Sequence, residues 1–501
     1  MLLTDKGVEQ LRSALTDYTA SGIAERLGPA ATAAVSRNDF RAALRATADG
    51  DPLATLIRLF VCGQTEPTAA VEAAFAPLPL ADALAAGLVV PDGDGLRQGL
   101  DLEAYGDAWW VLADLPAAAH PGVPLAPDHV LGVGGASTTL AGATIRRPVG
   151  SALDLGTGCG VQALHLAQHA TAVTATDVSE RALSFAATTA ALNGVSWELL
   201  RGDLVAPVAG RRFDLVVSNP PFVVGPGTAT HAYRDSGRPG DGVSAELAAA
   251  AAGLLTEGGT MQYLANWAHV AGEEWADRVA GWIAGTGLDA WVIQREVADP
   301  VSYVDLWLTD AGEPHNPARK AAWLDWFDAH KIEAVGFGLV TLRRAGADDP
   351  VVRVEDLRQQ VAGPLGAQVA AWFDRQDFLR VHDAAGLLAA RYRAADGLQL
   401  RQEATMGAEG EGWAVDRQVL AMPQGLRWSE EIDPLVVALV GGCDGRVPLR
   451  DQIAVLAVAH EVAEADLAEA AVPIVAHLVE RGVILPADGP AAATADSPAR
   501  G

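Results

Sequence analysis

Short apolar runs alternate with helical segments between Ser151 and Ala345. Helices are predicted from about Gly160, over Ser179–Asn193, through "SAELAAAAAGLL" and from about His269 to Gly285. The predicted strands are, in order, "ALDL", "AVTATD", "VSWELL", "FDLVVS", "GGTMQYLA", "DAWVIQREV" and "AVGFGLVTLRR". Strands that alternate with helices of this length form a mostly parallel sheet with helices on both faces. The alternation therefore predicts a doubly wound α/β domain.

The regions on either side of this domain show a different pattern. In residues 1–125, a helix over Leu53–Cys62 is followed by two more, and then by "LVV" and "LRQGLDLE" as strands around the turn "PDGDG". Residues 346–485 end in a similar series, from "IDPLVVALV" to "VILPA". We predict a winged-helix-like domain on each side of a central domain of residues 126–345. Residues 486–501 lack large apolar side chains, which predicts a disordered tail.

The charge of the chain limits its partners. It has 36 Lys and Arg against 63 Asp and Glu, a net charge of -27. Proteins that hold nucleic acid by its phosphates usually have a basic face, so this balance disfavours a large nucleic-acid footprint. Arg37, Arg41 and Arg45 follow the possible helix cap Ser36 at intervals of four, so on one helix they would form a basic stripe. A solvated helix face is the alternative interpretation.

The cysteines and the apolar runs indicate the cellular setting. Cys62, Cys159 and Cys443 lie far apart and form no Cys-x-x-Cys pair, which predicts a reduced cytoplasmic protein without a metal site. No signal-like pattern begins the chain, and no apolar run approaches the roughly 18 residues that span a bilayer. We therefore expect no membrane partner.

The loop "DLGTGCG" follows the first strand of the predicted sheet. Glycines at 156, 158 and 160 let the chain turn sharply and bring its backbone close to a ligand. A dinucleotide-binding loop requires a further glycine at the last position of G-x-G-x-x-G, which is Val161 here. This departure disfavours NAD. Tight packing is the alternative explanation of the glycines, so the choice of ligand depends on the acidic residues nearby.

Acidic residues lie in this loop and at the ends of the next two strands. Asp177 ends "TATD", where its carboxylate can accept both hydroxyls of a ribose. Asp203, in "RGDL", is placed to take an adenine amino group, and Asp154 to receive an ammonium. A glycine loop with three such carboxylates fits S-adenosyl-L-methionine better than NAD.

The stretch "SNPPF" interrupts the strand "FDLVVS". Pro220 and Pro221 fix two φ angles, so the carbonyls of Asn219 and Pro220 point in set directions instead of joining the sheet. Two acceptors held side by side can take both hydrogens of a planar NH₂ group, and Phe222 can stack on that group. These four residues are the predicted catalytic set, which acts by orientation and electrostatics without a strong base.

Residues 126–345 resemble class I methyltransferases. The similarity rests on the loop and its acids, on "SERALSFAATTAALNG", and on "VVSNPPF". It implies a Rossmann-like sheet of seven strands whose last hairpin is antiparallel. It also implies cofactor contacts from the loop, the strand ends and "GVGGASTTLAG". The implied cofactor-binding residues are Ser137, Thr138, Asp154, Gly156, Thr157, Gly158, Gly160, Asp177, Val178, Asp203, Leu204 and Asn219.

The motif "NPPF" is shared by several amine methyltransferases. It is similar to that of enzymes that methylate adenine in DNA and RNA, of small-domain rRNA methyltransferases, and of HemK-type release-factor glutamine methyltransferases. The longer "NPPFVVGPG" resembles the eukaryotic and archaeal branch of the last group, in which tyrosine usually replaces Phe222. "YRDSGRPGDGVS" resembles its glycine-rich segment, so His231 and Arg234 are candidates for a substrate lid.

Three functions are compatible with these patterns, and all imply a macromolecular partner. The leading one is an S-adenosylmethionine-dependent N-methyltransferase that acts on a protein glutamine amide. The alternative is a methyltransferase for the exocyclic amine of adenine or guanine in RNA or DNA. The third is a winged-helix binding protein with a vestigial cofactor domain, which the intact Asp154, Asp177 and Asn219 disfavour.

Overall fold

The computed structural model describes residues 1–119, 125–227, 234–407 and 412–487. Two compact units are present, one formed by Met1–Ala141 with Arg146–Asp356 and the other by Gly142–Ile145 with Leu357–Gly501. The division into three domains and a tail stays a prediction. Residues 488–501, which hold nearly all of the predicted tail, lie outside the described residues.

The first part of the first unit contains short helices and two small sheets. Its helices are α1 (Asp5–Ala14), α2 (Ala20–Val35), α3 (Arg41–Ala46), α4 (Pro52–Leu56), α5 (Thr68–Phe75) and α6 (Leu80–Ala85), and α4 continues as a π-helical turn, Ile57–Val61. Its strands are β1 (Glu66–Pro67), β2 (Val89–Asp92), β3 (Gly95–Gln98), β4 (Asp101–Tyr105) and β5 (Trp109–Ala113). One sheet has the order β1-β3-β2 and the other is the β4–β5 hairpin. The predicted strand "LRQGLDLE" is therefore divided between two sheets.

The arginine stripe is not formed. Helix α2 ends at Val35 with Ser36 at its C-terminal cap, and α3 begins only at Arg41. Arg37 lies in the turn between the two helices, which Asn38 closes with a φ of 59°. The prediction of one basic helix face is wrong, because this turn interrupts the spacing of four.

The remainder of the first unit is built around an eight-stranded sheet. Its strands are β6 (Val149–Leu155), β7 (Ala170–Asp177), β8 (Glu198–Arg201), β9 (Phe213–Ser218), β10 (Leu255–Val270), β11 (Asp289–Ala298), β12 (Ile332–Arg343) and β13 (Val352–Asp356). They lie in the order β13-β11-β12-β10-β9-β6-β7-β8. Only β12 is antiparallel to its neighbours. This confirms the doubly wound class I methyltransferase fold with its antiparallel hairpin, to which β13 adds an eighth strand.

Helices connect these strands. They are α7 (Gly135–Ala143), α8 (Val161–Leu166), α9 (Glu180–Leu192), α10 (Gly242–Leu254), α11 (Trp275–Ile283), α12 (Pro300–Asp310) and α13 (Pro317–Ala329). The helix predicted from His269 begins later, because β10 continues to Val270. Helices α12 and α13 were not predicted, although each starts with a capping side chain, Asp299 or Asn316, followed by proline.

The second unit has its own apolar core, which includes Tyr392, Leu449, Ile453 and Val475. Its helices are α14 (Gly366–Val381), α15 (Ala384–Ala389), α16 (Pro434–Gly441), α17 (Leu449–Ala459) and α18 (Glu464–Arg481). Its strands are β14 (Arg391–Ala394), β15 (Gln399–Met406), β16 (Trp413–Ala421), β17 (Ser429–Glu431), β18 (Asp444–Pro448) and β19 (Ile484–Pro486). Within the part of the chain that the structure describes, no helix is long and apolar enough to cross a bilayer.

Candidate active site

A cavity of about 430 Å³ lies at the carboxyl ends of β6, β7 and β9. The chain reverses its winding direction between β6 and β9, and ligands of open α/β sheets bind at such switch points. Most of the predicted site residues line this one cavity. They are Ser137, Gly156, Thr157, Gly158, Asp177, Val178, Asp203, Leu204, Asn219, Pro220 and Pro221.

The glycine loop turns as the sequence predicts, but its glycines have different roles. Gly156 and Gly158 have φ values of 74° and 54°, and a β-carbon on Gly156 would meet no atom within 4 Å. Space for a ligand therefore lies beside the first part of the loop. Gly160 does not line the cavity, and its β-carbon would lie 3.2 Å from the ring of Trp197. Its role is close packing of the loop against Trp197 and α9.

Asp154 lies beneath the loop and does not line the cavity. Its Oδ2 accepts hydrogen bonds from the Thr157 hydroxyl at 2.6 Å and from the Ala163 amide at 3.1 Å. The side chain is buried, and this burial raises the pKa of Asp154 to about 7 although the two hydrogen bonds oppose the shift. Asp154 thus stabilises the loop conformation through Oδ2. Its Oδ1 is buried with no hydrogen-bond partner among the described residues, and the contact with an ammonium stays a prediction.

Asp177 lies at the end of β7 with its carboxylate on the cavity wall. Oδ2 accepts from the Gly158 amide at 3.0 Å and Oδ1 from the Ser179 amide at 2.9 Å. Burial raises the pKa of this carboxyl, and the backbone hydrogen bonds counteract part of the rise. Each oxygen retains one further acceptor position, so the carboxylate can take two ribose hydroxyls.

The rim of the cavity combines charge with apolar surface. Asp203 is largely exposed, and its Oδ2 accepts a hydrogen bond from Arg238 Nη2 at 3.1 Å. Leu204 has a φ of 41°, which is uncommon for a residue other than glycine and marks a constrained turn. Val178 is 51% exposed. These residues offer one acceptor and two apolar surfaces to a flat ring.

The segment "GVGGASTTLAG" contributes one of its two predicted contacts. Ser137 lines the cavity, and its backbone carbonyl accepts a hydrogen bond from Gln162 Nε2 at 2.8 Å. The hydroxyl of Thr138 instead donates within its own helix, to the carbonyls of Gly134 and Gly135. Thr138 does not reach the cavity wall.

The corner that follows β9, Asn219 to Phe222, is anchored to the neighbouring strand β6. Ser218 is the last strand residue, and its hydroxyl donates to the Leu155 carbonyl on β6 at 2.8 Å. Asn219, Pro220 and Pro221 then follow the cavity wall. The side-chain oxygen Oδ1 of Asn219 is buried and has no hydrogen-bond partner among the described residues. A buried acceptor is ordinarily paired, so this one is available to a ligand donor.

Phe222 leaves the cavity wall and pairs with a second segment. It forms an isolated antiparallel bridge with Asp235, and its ring packs edge-on against Trp307 with 6.0 Å between centroids. Arg234, a lid candidate, is 2% exposed and donates to the Trp307 carbonyl, so it acts as an anchor. The other candidate, His231, lies outside the described residues.

Sequence reasoning missed several acidic residues of the cavity. Asp101 and Asp114 come from the β4–β5 hairpin, and Asp310 from the end of α12. The hairpin residues are far from the glycine loop in sequence, so no local pattern marks them. For α12, the proline-containing helix start was a usable signal. In the described ranges, no group of three His, Cys, Asp or Glu residues could hold a metal ion.

Comparison with protein families identifies the central region. Residues 133–274 match the methyltransferase small domain, so the chain carries a methyltransferase domain at this cavity. Residues 15–99 match a domain of unknown function (DUF7059), and residues 370–486 match another (DUF7782).

Curated relatives share this central region. The chain is 35% identical over 139 residues to the ribosomal RNA small subunit methyltransferase C of Alcanivorax borkumensis, which is 28% of this chain and 40% of that protein. It is 40% identical over 123 residues to the release factor glutamine methyltransferase of Deinococcus radiodurans, which is 22% of this chain and 43% of that protein. The chain thus spans less than half the length of these relatives.

Solved structures show only a distant likeness. A methyltransferase from Pyrococcus furiosus is 17% identical, with a TM-score of 0.25 over 40% of this chain and 77% of that one. The assignment of the fold therefore depends on the strand order of the sheet.

Proposed function

We propose that this chain is an S-adenosylmethionine-dependent N-methyltransferase that methylates the side-chain amide of a glutamine in a protein of the release-factor type. The observation that carries the proposal is the buried Oδ1 of Asn219, which has no partner in the described part of the chain and belongs to a residue of the cavity wall. An acceptor in this position suits a substrate that brings a hydrogen-bond donor. Because release factors act in translation, we expect an enzyme with this substrate to be cytoplasmic.

The cavity fits the cofactor. Gly156 leaves open space beside the loop, Asp177 retains two acceptor positions for the ribose, and Asp203 with Val178 suits the adenine. When bound, S-adenosylmethionine supplies a methyl group on a sulfonium, and transfer forms a nitrogen–carbon bond, breaks a sulfur–carbon bond and releases one proton from nitrogen to solvent.

The corner residues orient the nitrogen that is to be methylated. Amide nitrogens are poor nucleophiles because their lone pair is delocalised. Acceptance of both hydrogens by the Asn219 side chain and the Pro220 carbonyl raises the electron density on that nitrogen. The acceptors are fixed before the reaction, since two prolines and the Ser218–Leu155 hydrogen bond hold the corner.

The charge of the cavity favours a protein substrate. Six aspartates line it, and no lysine or arginine does so within the described ranges; the aspartates are residues 101, 114, 128, 177, 203 and 310. Two of them form ion pairs with arginines that do not line the cavity, Asp114 with Arg181 and Asp203 with Arg238, and the cavity surface itself stays acidic. A polyanionic strand with phosphates near this wall would be repelled, whereas a neutral glutamine side chain would not. The net charge of -27 acts in the same direction.

A second candidate is methylation of an exocyclic amine in ribosomal RNA. The observation in its favour is the 35% identity to the ribosomal RNA small subunit methyltransferase C of Alcanivorax borkumensis. The same acceptors would serve, because an exocyclic amine is also a planar NH₂ group. The two candidates differ only in the class of macromolecule that becomes labelled.

The test is transfer of a tritiated methyl group from S-adenosylmethionine to a cell extract. We expect label in precipitable material that is lost after protease treatment and retained after nuclease treatment. The matched control is Asn219→Ala, which should bind the cofactor and transfer little label. Label that is lost after nuclease treatment would show that the substrate is RNA and not protein. Absence of any transfer would contradict the proposed activity.

A further inference from the structure

The β4–β5 hairpin supplies one wall of the cavity. Asp101 is the first residue of β4 and pairs in register with Ala113, the last residue of β5. Asp114 follows directly, so both carboxylates arise at the same end of the hairpin. Both line the cavity, although the hairpin lies outside the region that matches the methyltransferase domain.

The charge of Asp114 is compensated within the protein. Its carboxylate forms a bidentate ion pair with Arg181 of α9, in which the Nε–Oδ2 distance is 3.0 Å. The amide of Val130 also donates to Oδ2 at 2.9 Å, and His129 Nδ1 lies 3.8 Å from the same oxygen. Asp114 therefore joins the hairpin to α9 and has little capacity left for a ligand.

Asp101 has no comparable compensation. In the described part of the chain, its carboxylate forms neither an ion pair nor a side-chain hydrogen bond. Burial alone raises the pKa of Asp101 to about 6. A half-buried carboxylate without a counter-charge is costly unless a cation or a donor reaches it.

The segment 132–134, which precedes α7, leaves room for such a ligand. A β-carbon on Gly132 would lie only 3.2 Å from Asp101 Oδ2, so a larger residue there would crowd the carboxylate. Gly134, which also lines the cavity, has no atom within 4 Å of its β-carbon position. Asp101 thus faces the open segment that precedes α7.

The proposed cofactor carries two cationic groups, the sulfonium and the α-ammonium of its methionine part. Asp177 and Asp203 are assigned to its ribose and adenine, and Asp154 lies beneath the loop. We propose that Asp101 binds the α-ammonium group of S-adenosylmethionine, so that the N-terminal region completes the cofactor site. The identity of the ligand in this inference rests on the proposed function.

The experiment compares ligands on the full chain by calorimetry. S-adenosylmethionine has the α-ammonium and a sulfonium, whereas 5′-methylthioadenosine keeps the adenine and ribose but has a neutral thioether and no amino-acid part. S-adenosylhomocysteine has the α-ammonium and a neutral thioether, so its affinity should fall in Asp101→Asn as that of S-adenosylmethionine does; a loss confined to S-adenosylmethionine would assign Asp101 to the sulfonium and overturn the inference. Asp101→Asn should lower the affinity for S-adenosylmethionine about 10- to 100-fold, which is the range for loss of one charge-assisted hydrogen bond. Its affinity for 5′-methylthioadenosine should stay that of the wild type, which also shows that the variant is folded.

The matched control is Glu103→Gln on the same strand. Glu103 is partly buried, accepts a hydrogen bond from the Val133 backbone and does not line the cavity. This variant should not change the ratio of the two affinities. Three other results would overturn this inference and leave the proposed function intact. They are an equal loss of affinity for S-adenosylmethionine and 5′-methylthioadenosine in Asp101→Asn, no loss of affinity in that variant, or the same selective loss in Glu103→Gln. If the wild-type chain failed to bind S-adenosylmethionine, the proposed function would be overturned with it.

Discussion

Replacement of Asn219 by alanine tests whether this side chain, at the corner after β9, acts in catalysis or only stabilises the fold. The Asn219 side-chain oxygen is buried without a partner among the described residues. Its removal therefore breaks no hydrogen bond of that oxygen in the folded protein and relieves a desolvation cost of about 1–3 kcal/mol. We expect Asn219→Ala to unfold at the same denaturant concentration as the wild type or at a higher one.

Turnover should respond in the opposite direction. The bond from the substrate nitrogen to Oδ1 strengthens as that nitrogen becomes more acidic during attack, so its loss raises the barrier of the transfer step. By analogy with loss of one oxyanion-hole donor, the rate should fall roughly 10²- to 10³-fold, or about 2.7–4 kcal/mol. Asn219→Asp keeps two acceptors and should retain more activity than Asn219→Ala.

The assay is single-turnover methyl transfer to the substrate recovered from the labelled extract, at saturating cofactor. Cofactor affinity, measured in parallel, should be similar in all three proteins. Equal rates for the wild type and Asn219→Ala would contradict a catalytic role of Asn219, since the corner would then be only a turn. A variant with lowered stability and an unchanged rate would assign Asn219 a purely structural role.

Three further predictions concern the cofactor loop. Asp177→Ala should weaken the binding of S-adenosylmethionine, measured by calorimetry, by about 1.5–3 kcal/mol, because charge-assisted hydrogen bonds to the ribose are lost. An unchanged affinity would show that Asp177 does not bind the cofactor. NAD should bind far more weakly than S-adenosylmethionine, because Val161 replaces the glycine that a dinucleotide loop requires, and tight binding of NAD would contradict the cofactor assignment. Gly160→Ala should lower the free energy of unfolding by about 1–2 kcal/mol or more, because its φ is 90° and Trp197 is close. Since Gly160 does not line the cavity, a loss of affinity without a loss of stability would contradict this interpretation.

The features that the sequence predicts well are local ones. The strand ends, the glycine loop and the corner at Asn219 are set by residues that are neighbours along the chain, and parallel strands then bring them to one edge of the sheet. The local pattern does not separate the two oxygens of Asp154: Oδ2 stabilises the loop through Thr157 and Ala163, whereas a ligand contact of Oδ1 stays a prediction.

The features that the sequence did not predict depend on tertiary packing. Asp101 reaches the cavity only because its hairpin packs beside the segment that contains Gly132. The contact of the Phe222 ring with Trp307 of the unpredicted helix α12 was not predicted, and stacking of Phe222 on the substrate stays a prediction. The arginine spacing failed for a local reason instead, since the turn after Val35 separates Arg37 from the next helix.

We propose that the Asn219 corner presents a glutamine amide nitrogen to the cofactor. Tandem mass spectrometry of the protein that acquires label from S-adenosylmethionine tests it most directly, because fragment ions locate the added methyl group on one side chain. We expect a single methyl group on a glutamine side-chain nitrogen, at a far lower level when Asn219→Ala replaces the wild type. A methyl group on a lysine, on a carboxylate or on an RNA base would contradict it.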